Sequence, residues 1–488
     1  MIRRPSFLRD AGYSVIFHTA PRFANVLMFI LVGRLAGPDE AGAFALATTY
    51  LLMITTVMRG MDDLIARQIA REPDDAPRYL TNFVVVRILM AIGLYALLAI
   101  VVLYVFDYSV ETTQAILIIS LSTIPESITY LANSIMLGKG DFAPTAVVWA
   151  GQSLFKLIAG LIVIWAGGDL LNIAVIWLIG SILGMVVIVP ILLRRTGRVT
   201  RADWKNWQTL NRNWRALPFF IILTTLAMLE AQSDTIILSG FYGEEEVGWY
   251  NAATTVAYSL IIFSQAFRFA IYPRMSRHAQ NSPEELWRLF NQSIRMLAIF
   301  IMPVTVGIIL LAPGIIALVF GNEFGPTVLV LQILMLATLF VFLNEPNVRM
   351  MLVHDRQRLL TLFLLASATL NVILNLFLAQ KYGASGSAVA RVSSILLYFL
   401  LSFLYVTRVQ GRSRFLHWLV KPAIATLVMI VPVYLTREWL LFVPIILGGI
   451  TYCSAFILIR GLSSAERRLI LQEATNWLSR NPTKNGHT

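Results

Sequence analysis

The sequence has few charged residues and almost no cysteine. Of its 488 residues, 14% are charged, whereas soluble domains usually carry about 25%. So small a share cannot hydrate the surface of a soluble protein of this length. The hydrophobic content of 57% instead indicates a polytopic membrane protein. Cys453 is the only cysteine, so no intramolecular disulfide can form and the redox compartment cannot be inferred from cysteine content.

Known catalytic and cofactor motifs are also missing from the sequence. It contains no HExxH, Walker A or GxSxG motif, and no pairs of cysteine and histidine at metal-binding spacing. Neither ATP hydrolysis nor metal catalysis is therefore indicated. We expect no cofactor and no metal, and we do not expect an enzyme.

Long apolar runs are abundant, and they predict about fourteen membrane helices. A bilayer core needs about 20 apolar residues per helix, and the runs meet that length. The first run continues into many others, which argues against a cleaved signal peptide. The predicted helices lie near 11–36, 41–68, 78–106, 113–137, 142–167, 169–194, 214–240, 247–272, 286–320, 326–353, 358–380, 384–408, 416–436 and 439–460.

The distribution of basic residues predicts the orientation. Arg3, Arg4 and Arg9 precede the first helix, and the loops on that side are basic, whereas the outer loops hold only Lys381 and Arg437. Because Arg and Lys are retained on the cytoplasmic side, we expect both termini inside. This explains the net charge of +12 better than a nucleic-acid partner does. The outer loops are short and leave no room for the loop-borne site of a membrane glycan transferase or polymerase.

One stretch of the sequence occurs twice. Residues 37–49 and 243–255 lie 206 positions apart and agree at six of thirteen positions, including both glycines and the closing Ala-Thr-Thr. Six predicted helices separate the copies. Because six is an even number, the two halves have the same orientation in the membrane. Parallel repeats of this kind place a substrate site between the halves in several transporter folds.

The repeat and the composition together predict the domain organisation. The connector between the halves is basic and carries Trp204, Trp207 and Trp214, which suits the headgroup layer. The predicted parts are an N-terminal six-helix lobe at 1–195, an amphipathic cytoplasmic connector at 196–213, a C-terminal six-helix lobe at 214–409, two extra membrane helices at 410–460 and a cytoplasmic tail at 461–488.

Residues 31–42, Leu-Val-Gly-Arg-Leu-Ala-Gly-Pro-Asp-Glu-Ala-Gly, resemble the first outer turn of bacterial polysaccharide and O-antigen flippases. These belong to the multidrug, oligosaccharidyl-lipid and polysaccharide exporter superfamily. The resemblance implies a V-shaped pair of lobes around a central cavity in the bacterial inner membrane. It implies transport of an undecaprenyl-pyrophosphate-linked oligosaccharide to the outer leaflet by alternating access, for polysaccharide or lipopolysaccharide synthesis. The implied partners are that lipid-linked glycan, membrane lipids and polysaccharide polymerase or assembly proteins.

Several basic residues lie inside the predicted spans, where charges usually face a cavity or a partner. Arginine supplies the planar, permanently charged donors that a pyrophosphate needs. The candidate headgroup ligands are Arg22, Arg59, Arg268, Lys156 and Arg87. A structural ion pair or a chain end reaching the interface is the alternative for each, and it is the stronger interpretation for Arg87. Trp149, Trp165 and Trp177 fit lipid contact or the interfacial belt, and they would stack on sugars if they faced the cavity.

Intramembrane acids are the candidates for coupling transport to protons or sodium. Glu230 and Asp234 lie one helical turn apart with no base beside them in the sequence, and like charges at that spacing suit reversible protonation. Glu126 follows Pro125 in mid-helix, and Asp62 shares a helix face with Arg59. Pairing with Arg or Lys from another helix explains each acid equally well.

Two other transporter functions remain open at this point. A lipid II flippase also has a cationic cavity, so charge does not separate it from a polysaccharide flippase. A drug or cation antiporter of the same superfamily typically carries an acid in the first helix of a lobe, whereas residues 13–36 contain Arg22 and no acid. Two other classes are a membrane glycan transferase or polymerase, which the short loops disfavour, and a scaffold in a glycan assembly complex.

Overall fold

The computed structural model describes residues 7–197, 200, 217–410 and 415–461. These residues form helices joined by short turns, and no β-strand occurs among them. Most of the predicted connector at 196–213 and of the predicted tail at 461–488 lies outside the described residues. The helices are α1 (Phe7–Arg59), α2 (Asp62–Arg71), α3 (Ala76–Tyr104), α4 (Val110–Leu121), α5 (Thr123–Gly138), α6 (Ala143–Trp165), α7 (Leu170–Thr196), α8 (Leu217–Phe241), α9 (Glu244–Ser259), α10 (Ile261–Asn281), α11 (Pro283–Val319), α12 (Thr327–Val353), α13 (Gln357–Gln410), α14 (Phe415–Thr436) and α15 (Phe442–Leu458).

The described residues contain nine helices that are long and apolar enough to cross a membrane, or ten if the bent pair α9 and α10 forms one span. Two of the nine, Thr19–Arg71 and Gln357–Arg408, are 53 and 52 residues long, well beyond the roughly 20 residues of one crossing. Both are interrupted by a glycine at positive φ, Gly37 at 91° and Gly383 at 57°. Each therefore has room for two of the predicted spans, which accounts for two of the spans missing from the predicted fourteen.

A proline explains why the predicted helix at 113–137 is divided in two. Pro125 has no N–H, and its ring clashes with the carbonyl one turn earlier, so a continuous helix through Leu121 is disfavoured. The chain breaks at Ser122, between the end of α4 and the start of α5. Glu126, directly after the proline, is thereby placed in the first turn of α5.

The first compact unit comprises Met1–Val256, Ile316–Leu334 and Leu364–Ser394. Within it, α1 packs against α4, α6 and α8, and α5 packs against α2, α3 and α7. An apolar cluster holds the second group together and includes Met61, Ile65, Phe83, Leu131 and Ile135. This packing fixes the polar faces of α1, α5, α6 and α7 relative to one another.

The second compact unit comprises Ala257–Ile315, Met335–Phe363 and Ile395–Thr488. One core cluster includes Phe290, Ile294, Phe342, Met350 and Phe399, and a separate cluster packs α14 and α15 against α11. Each unit is assembled from three separate stretches of the chain. The predicted lobe boundaries stay predictions.

Candidate functional site

A polar cavity of about 180 Å³ opens among the helices of the first unit. Its wall brings together four of the predicted site residues, Arg22 and Arg59 from α1, Glu126 from α5 and Lys156 from α6. The two arginine side chains are exposed, whereas Glu126 and Lys156 are buried. The cavity therefore has two solvated cations in its wall and a buried ion pair.

The buried pair consists of Lys156 and Glu126, and neighbouring side chains contact both of them. The Lys156 ammonium donates to Glu126 Oε1 at 3.1 Å, and the Ser181 hydroxyl donates to the same oxygen at 3.0 Å. The ammonium also lies 4.7 Å from the centre of the Trp177 ring, within the range of a cation–π contact. Breaking a buried pair by removing one partner leaves an uncompensated charge. Neither side chain can therefore leave the pair without a replacement partner.

Two glycines of α7 allow Lys156 to lie against that helix. A Cβ at Gly180 would approach Lys156 Cγ to 2.7 Å and Cε to 3.1 Å, and a Cβ at Gly184 would overlap the side-chain amide of Gln152. Lys156 and Gln152 are one helical turn apart on α6, as Gly180 and Gly184 are on α7. The two glycines thus form a shallow groove that guides the lysine chain toward Glu126.

A second cluster behind the cavity contains more cations than acids. Asp62 lies between two guanidinium groups, because Arg87 Nη2 donates to its Oδ1 and Arg59 Nε lies 3.9 Å from its Oδ2. The Ser134 hydroxyl also donates to Oδ1 at 3.0 Å, and Arg87 donates to the Ser127 carbonyl at 3.3 Å. Arg87 is completely buried and does not line the cavity, so its position fits the structural interpretation.

The charges around the cavity do not cancel. Arg22, Arg59, Arg87 and Lys156 carry four positive charges against the two carboxylates of Asp62 and Glu126. Asp62 is shared by two arginines, so it neutralises Arg59 only in part. The Arg59 side chain is 43% exposed and its guanidinium lies 5.3 Å from the centre of the Tyr130 ring. The excess positive charge suits an anionic ligand.

Aromatic rings complete the cavity wall. Trp149 and Trp177 line it and are almost entirely buried, and the Tyr130 ring lies 4.8 Å from that of Trp149. Both tryptophans therefore lie in the cavity wall, whereas Trp165 is 87% exposed. Stacking on sugars stays a prediction. Nothing in the sequence distinguished Gln152, Ser181 or Tyr130, because polar residues of these types also occur at ordinary helix contacts.

The other pair of predicted coupling acids is held by an arginine from a distant part of the chain. Arg391 of α13 donates to Glu230 Oε1 at 2.9 Å and to Asp234 Oδ2 at 2.6 Å. Asp234 also accepts hydrogen bonds from Asn375 at 2.6 Å and from the Tyr250 hydroxyl. The arrangement is the cross-helix pairing that was the alternative to coupling. The sequence gave no reason to connect Arg391 with these acids, which lie more than 150 residues earlier.

Arg268 belongs to the second unit. It lies on α10, and its side chain is partly buried. Its role as a headgroup ligand stays a prediction. The described residues contain no group of three or more histidine, cysteine, aspartate or glutamate side chains that could hold a metal ion.

Comparisons with known proteins identify the family. A family model described as "Polysaccharide biosynthesis protein" matches residues 30–329. The chain is 23% identical to the "Putative O-antigen transporter" of Escherichia coli, over 82% of this chain and 97% of that protein. It is 27% identical over 175 residues to the "Probable low-salt glycan biosynthesis flippase Agl15" of Haloferax volcanii. That match spans 36% of this chain and 37% of the archaeal protein.

The fold is also found among solved membrane transporters. The lipid II flippase MurJ, in an inward closed conformation, superposes with a TM-score of 0.76 over 92% of this chain and 99% of that chain, at 16% identity. This likeness confirms the predicted all-α polytopic fold class. Together with the family match, it confirms the relationship predicted from residues 31–42. The chain belongs to the polysaccharide biosynthesis protein family.

Proposed function

We propose that this protein is a flippase that moves a polyprenyl-pyrophosphate-linked oligosaccharide from the cytoplasmic to the outer leaflet by alternating access. The observation that carries the proposal is the cavity lined by Arg22, Arg59 and Lys156, where cations outnumber acids. The printed names of the relatives, an O-antigen transporter and a glycan biosynthesis flippase, support the same class of substrate.

The chemistry of the cavity suits a pyrophosphate. A pyrophosphate that enters the membrane loses water from its charged oxygens, and arginine replaces that water with bidentate, charge-assisted hydrogen bonds. Arg22 and Arg59 are the exposed cations of the wall, so they receive the headgroup first in this proposal. Trp149 and Trp177 provide flat apolar surfaces for the adjoining sugar.

We assign ion coupling to Glu126, because it is the predicted coupling acid that lines the cavity. When a phosphate oxygen takes over the Lys156 ammonium, Glu126 loses its partner and binds a proton or a sodium ion instead. Glu230 and Asp234 already have Arg391 as a partner within the unit, and Asp62 has Arg87. Transport by Glu126→Gln should lose its dependence on pH or sodium, whereas Glu230→Gln should retain it. Unchanged ion dependence in Glu126→Gln would refute this assignment.

The proposed location and partners follow from this function. The protein lies in the cytoplasmic membrane with both termini inside, and it receives its substrate from the enzymes that assemble the lipid-linked glycan. Polysaccharide polymerase and assembly proteins take the product on the outer side.

The test compares matched arginine variants in a cell-surface glycan assay. Arg22→Ala combined with Arg59→Ala should lower surface glycan at least tenfold at equal protein level. Arg78→Ala is the matched control, because its side chain is 46% exposed and it also pairs with an acid three residues away. Surface glycan equal to that of the control would overturn the cavity assignment.

A lipid II flippase needs the same headgroup chemistry, so a second measurement separates the two substrates. Cells depleted of their own lipid II flippase are supplied with this protein. Under the proposal, growth is not restored while surface glycan is produced. Restored growth, with no effect on surface glycan, would assign lipid II as the substrate.

A further inference from the structure

Three hydroxyl groups at the break between α4 and α5 are buried without a partner. Ser120, Ser122 and Thr123 are each 0% exposed, and their hydroxyls have no hydrogen-bond partner among the described residues. A buried hydroxyl without a partner costs free energy, because it has lost water and gained no bond in its place. Three such groups within four residues therefore point to a bound polar ligand.

Other hydroxyls of the same helices show what these three lack. Thr129 of α5 donates to the Pro125 carbonyl at 3.2 Å, which is a common bond for a buried hydroxyl in a helix. Ser109, just before α4, has an extended backbone, and its hydroxyl accepts from an N–H of the first turn. Ser122 stands before α5 in the same position, but its backbone is helical and its side chain caps nothing. The local structure thus leaves this hydroxyl unused.

The break lies beside Glu126. Ser122 and Thr123 precede Glu126 by four and three residues, so they share its side of the helix. The Glu126 N–H donates to the Ser122 carbonyl at 2.9 Å, whereas Pro125 has no N–H for the Leu121 carbonyl. Helix α4 has 12 residues, which is about 18 Å. The break therefore lies well inside a bilayer core of about 30 Å.

The arrangement of these oxygens suits water better than a single metal ion. With 3.6 residues per turn, Ser122, Glu126 and Thr123 point in directions spread over about 100°, and Ser120 lies about 60° further round. A metal ion needs its oxygen ligands around one point, whereas linked water molecules can bridge oxygens that are spread along a surface. Hydroxyls also donate as well as accept, as water does.

We propose that the break holds internal water molecules, which hydrate the Glu126 carboxyl and pass it a proton when Lys156 leaves the pair. The proton comes from the solvent that reaches the exposed Arg22 and Arg59 in the cavity wall. A water molecule of the site gives one proton to a carboxylate oxygen of Glu126 and gains another, so its own charge does not change. The water site stands apart from the proposed function. The proton uptake rests on that function, because it names a proton as the ion that Glu126 binds.

The titratable side chains around Glu126 leave it as the acid that needs this proton. They are Lys156 of α6, Arg22 and Arg59 of α1, Asp62 of α2, Arg87 of α3 and Tyr130 of α5. The contact from α7 is the Ser181 hydroxyl, which does not titrate in this range. Asp62 keeps Arg87 as its partner. A phosphate that takes over Lys156 therefore leaves Glu126 alone with its charge.

The first test uses thermal stability, because a hydrated site and a dry site give opposite signs. If water is bound, Ser122→Ala and Thr123→Val should each lower the midpoint of thermal unfolding, since the water loses a partner. In a dry site the same changes remove an unpaired hydroxyl and should raise the midpoint. Thr129→Val is the control, because it removes a hydroxyl that bonds to the backbone. A midpoint no lower than that of Thr129→Val would overturn the water site.

The second test detects the water directly and does not depend on stability. A short X-ray pulse converts bound water into hydroxyl radicals, which oxidise the side chains beside it in the folded protein. Oxidation of Leu121 and Pro125 should be several-fold higher in the wild type than in the variant with both Ser122→Ala and Thr123→Val. Equal oxidation in the two proteins would overturn the water site.

The third test follows the proton by infrared spectroscopy of the purified protein. In Lys156→Gln, the protonated Glu126 carboxyl should give a band that is lost on adding Glu126→Gln and shifted on adding Ser122→Ala. A band that is absent, or that disappears when sodium chloride replaces choline chloride, would overturn the proton uptake. Surface glycan unaffected by Glu126→Gln, with oxidation as expected, would keep the water site and reject the coupling role of Glu126.

Discussion

The ammonium of the buried Lys156 contacts a carboxylate and an aromatic ring. Glu126 supplies the opposite charge, Trp177 supplies a ring face, and the Ser181 hydroxyl donates to the same carboxylate oxygen as the ammonium. Desolvation of two charges is costly, so such a pair contributes little net stability. Removing only one partner is strongly destabilising, because the other charge stays buried without compensation. In the proposed function, an anionic ligand replaces Glu126 as the partner of the Lys156 ammonium.

The first prediction follows from the difference between removing one partner of the pair and removing both. Lys156→Met and Glu126→Gln should each lower the free energy of unfolding by about 3–5 kcal/mol, the cost of leaving one buried charge without its partner. The double variant should recover much of that loss. Thermal unfolding of the purified proteins in detergent measures the cycle, and additive losses in the double variant would show that the two side chains do not depend on each other.

The second prediction separates the two acids that share Arg391. Asp234 accepts bonds from Arg391, Asn375 and Tyr250, and its side chain is 3% exposed. The Glu230 side chain is 21% exposed and bonds Arg391 alone among the described contacts. Asp234→Asn should therefore destabilise the protein by about 3–5 kcal/mol, and Glu230→Gln by less. The same unfolding measurement applies, and equal losses would contradict the ranking.

For single residues, the sequence predicted which side chains carry charge into the membrane, but it did not predict their partners. Lys156 and Glu126 were expected to have separate roles, as headgroup ligand and as coupling acid. They are 30 positions apart on different helices, so no helical spacing could connect them. Arg391 was missed for the same reason, since a cation and its acids on remote helices share no local pattern.

Elements, rather than single residues, position the cavity side chains. The groove of Gly180 and Gly184 on α7 accommodates Lys156 and Gln152 of α6, and the break before Pro125 sets the first turn of α5 beside them. The sequence predicted the existence and approximate limits of these helices, because apolar length is a local property. It did not predict the groove, because that depends on which helices are neighbours.

The third prediction tests the groove. Gly180→Ala should destabilise the protein by about 1–3 kcal/mol, the usual cost of an extra group in a packed interior. In a Lys156→Ala background the cost should fall, because Cγ and Cε of the lysine no longer occupy the space. Gly151→Ala, where nothing lies within 4 Å of the added carbon, is the control. A cost that is the same in both backgrounds would show that Gly180 does not guide Lys156.

For the whole molecule, the repeat carried more information than any single motif. The shift of 206 positions indicated two related halves before any contact was known, and the structure places Gly42 against Glu244 and Gly248 against Pro38 under the same shift. The first compact unit, however, combines stretches from both predicted halves, whereas the second contains only residues C-terminal to Val256. Contacts over such long separations leave no local signal in the sequence, so the grouping could not be predicted from it.

The direction of transport depends on the orientation of the chain, which the fourth prediction addresses. The distribution of basic residues predicts that Asp141 lies on the cytoplasmic side and Glu438 on the outer side. In a Cys453→Ser background, an impermeant maleimide applied to intact cells should label Glu438→Cys and leave Asp141→Cys unlabelled, with the opposite result in inside-out vesicles. Both residues lie in turns between helices, so the substitutions should leave the spans intact. The reversed pattern would place both termini on the outer side and would reverse the direction of transport in the proposed function.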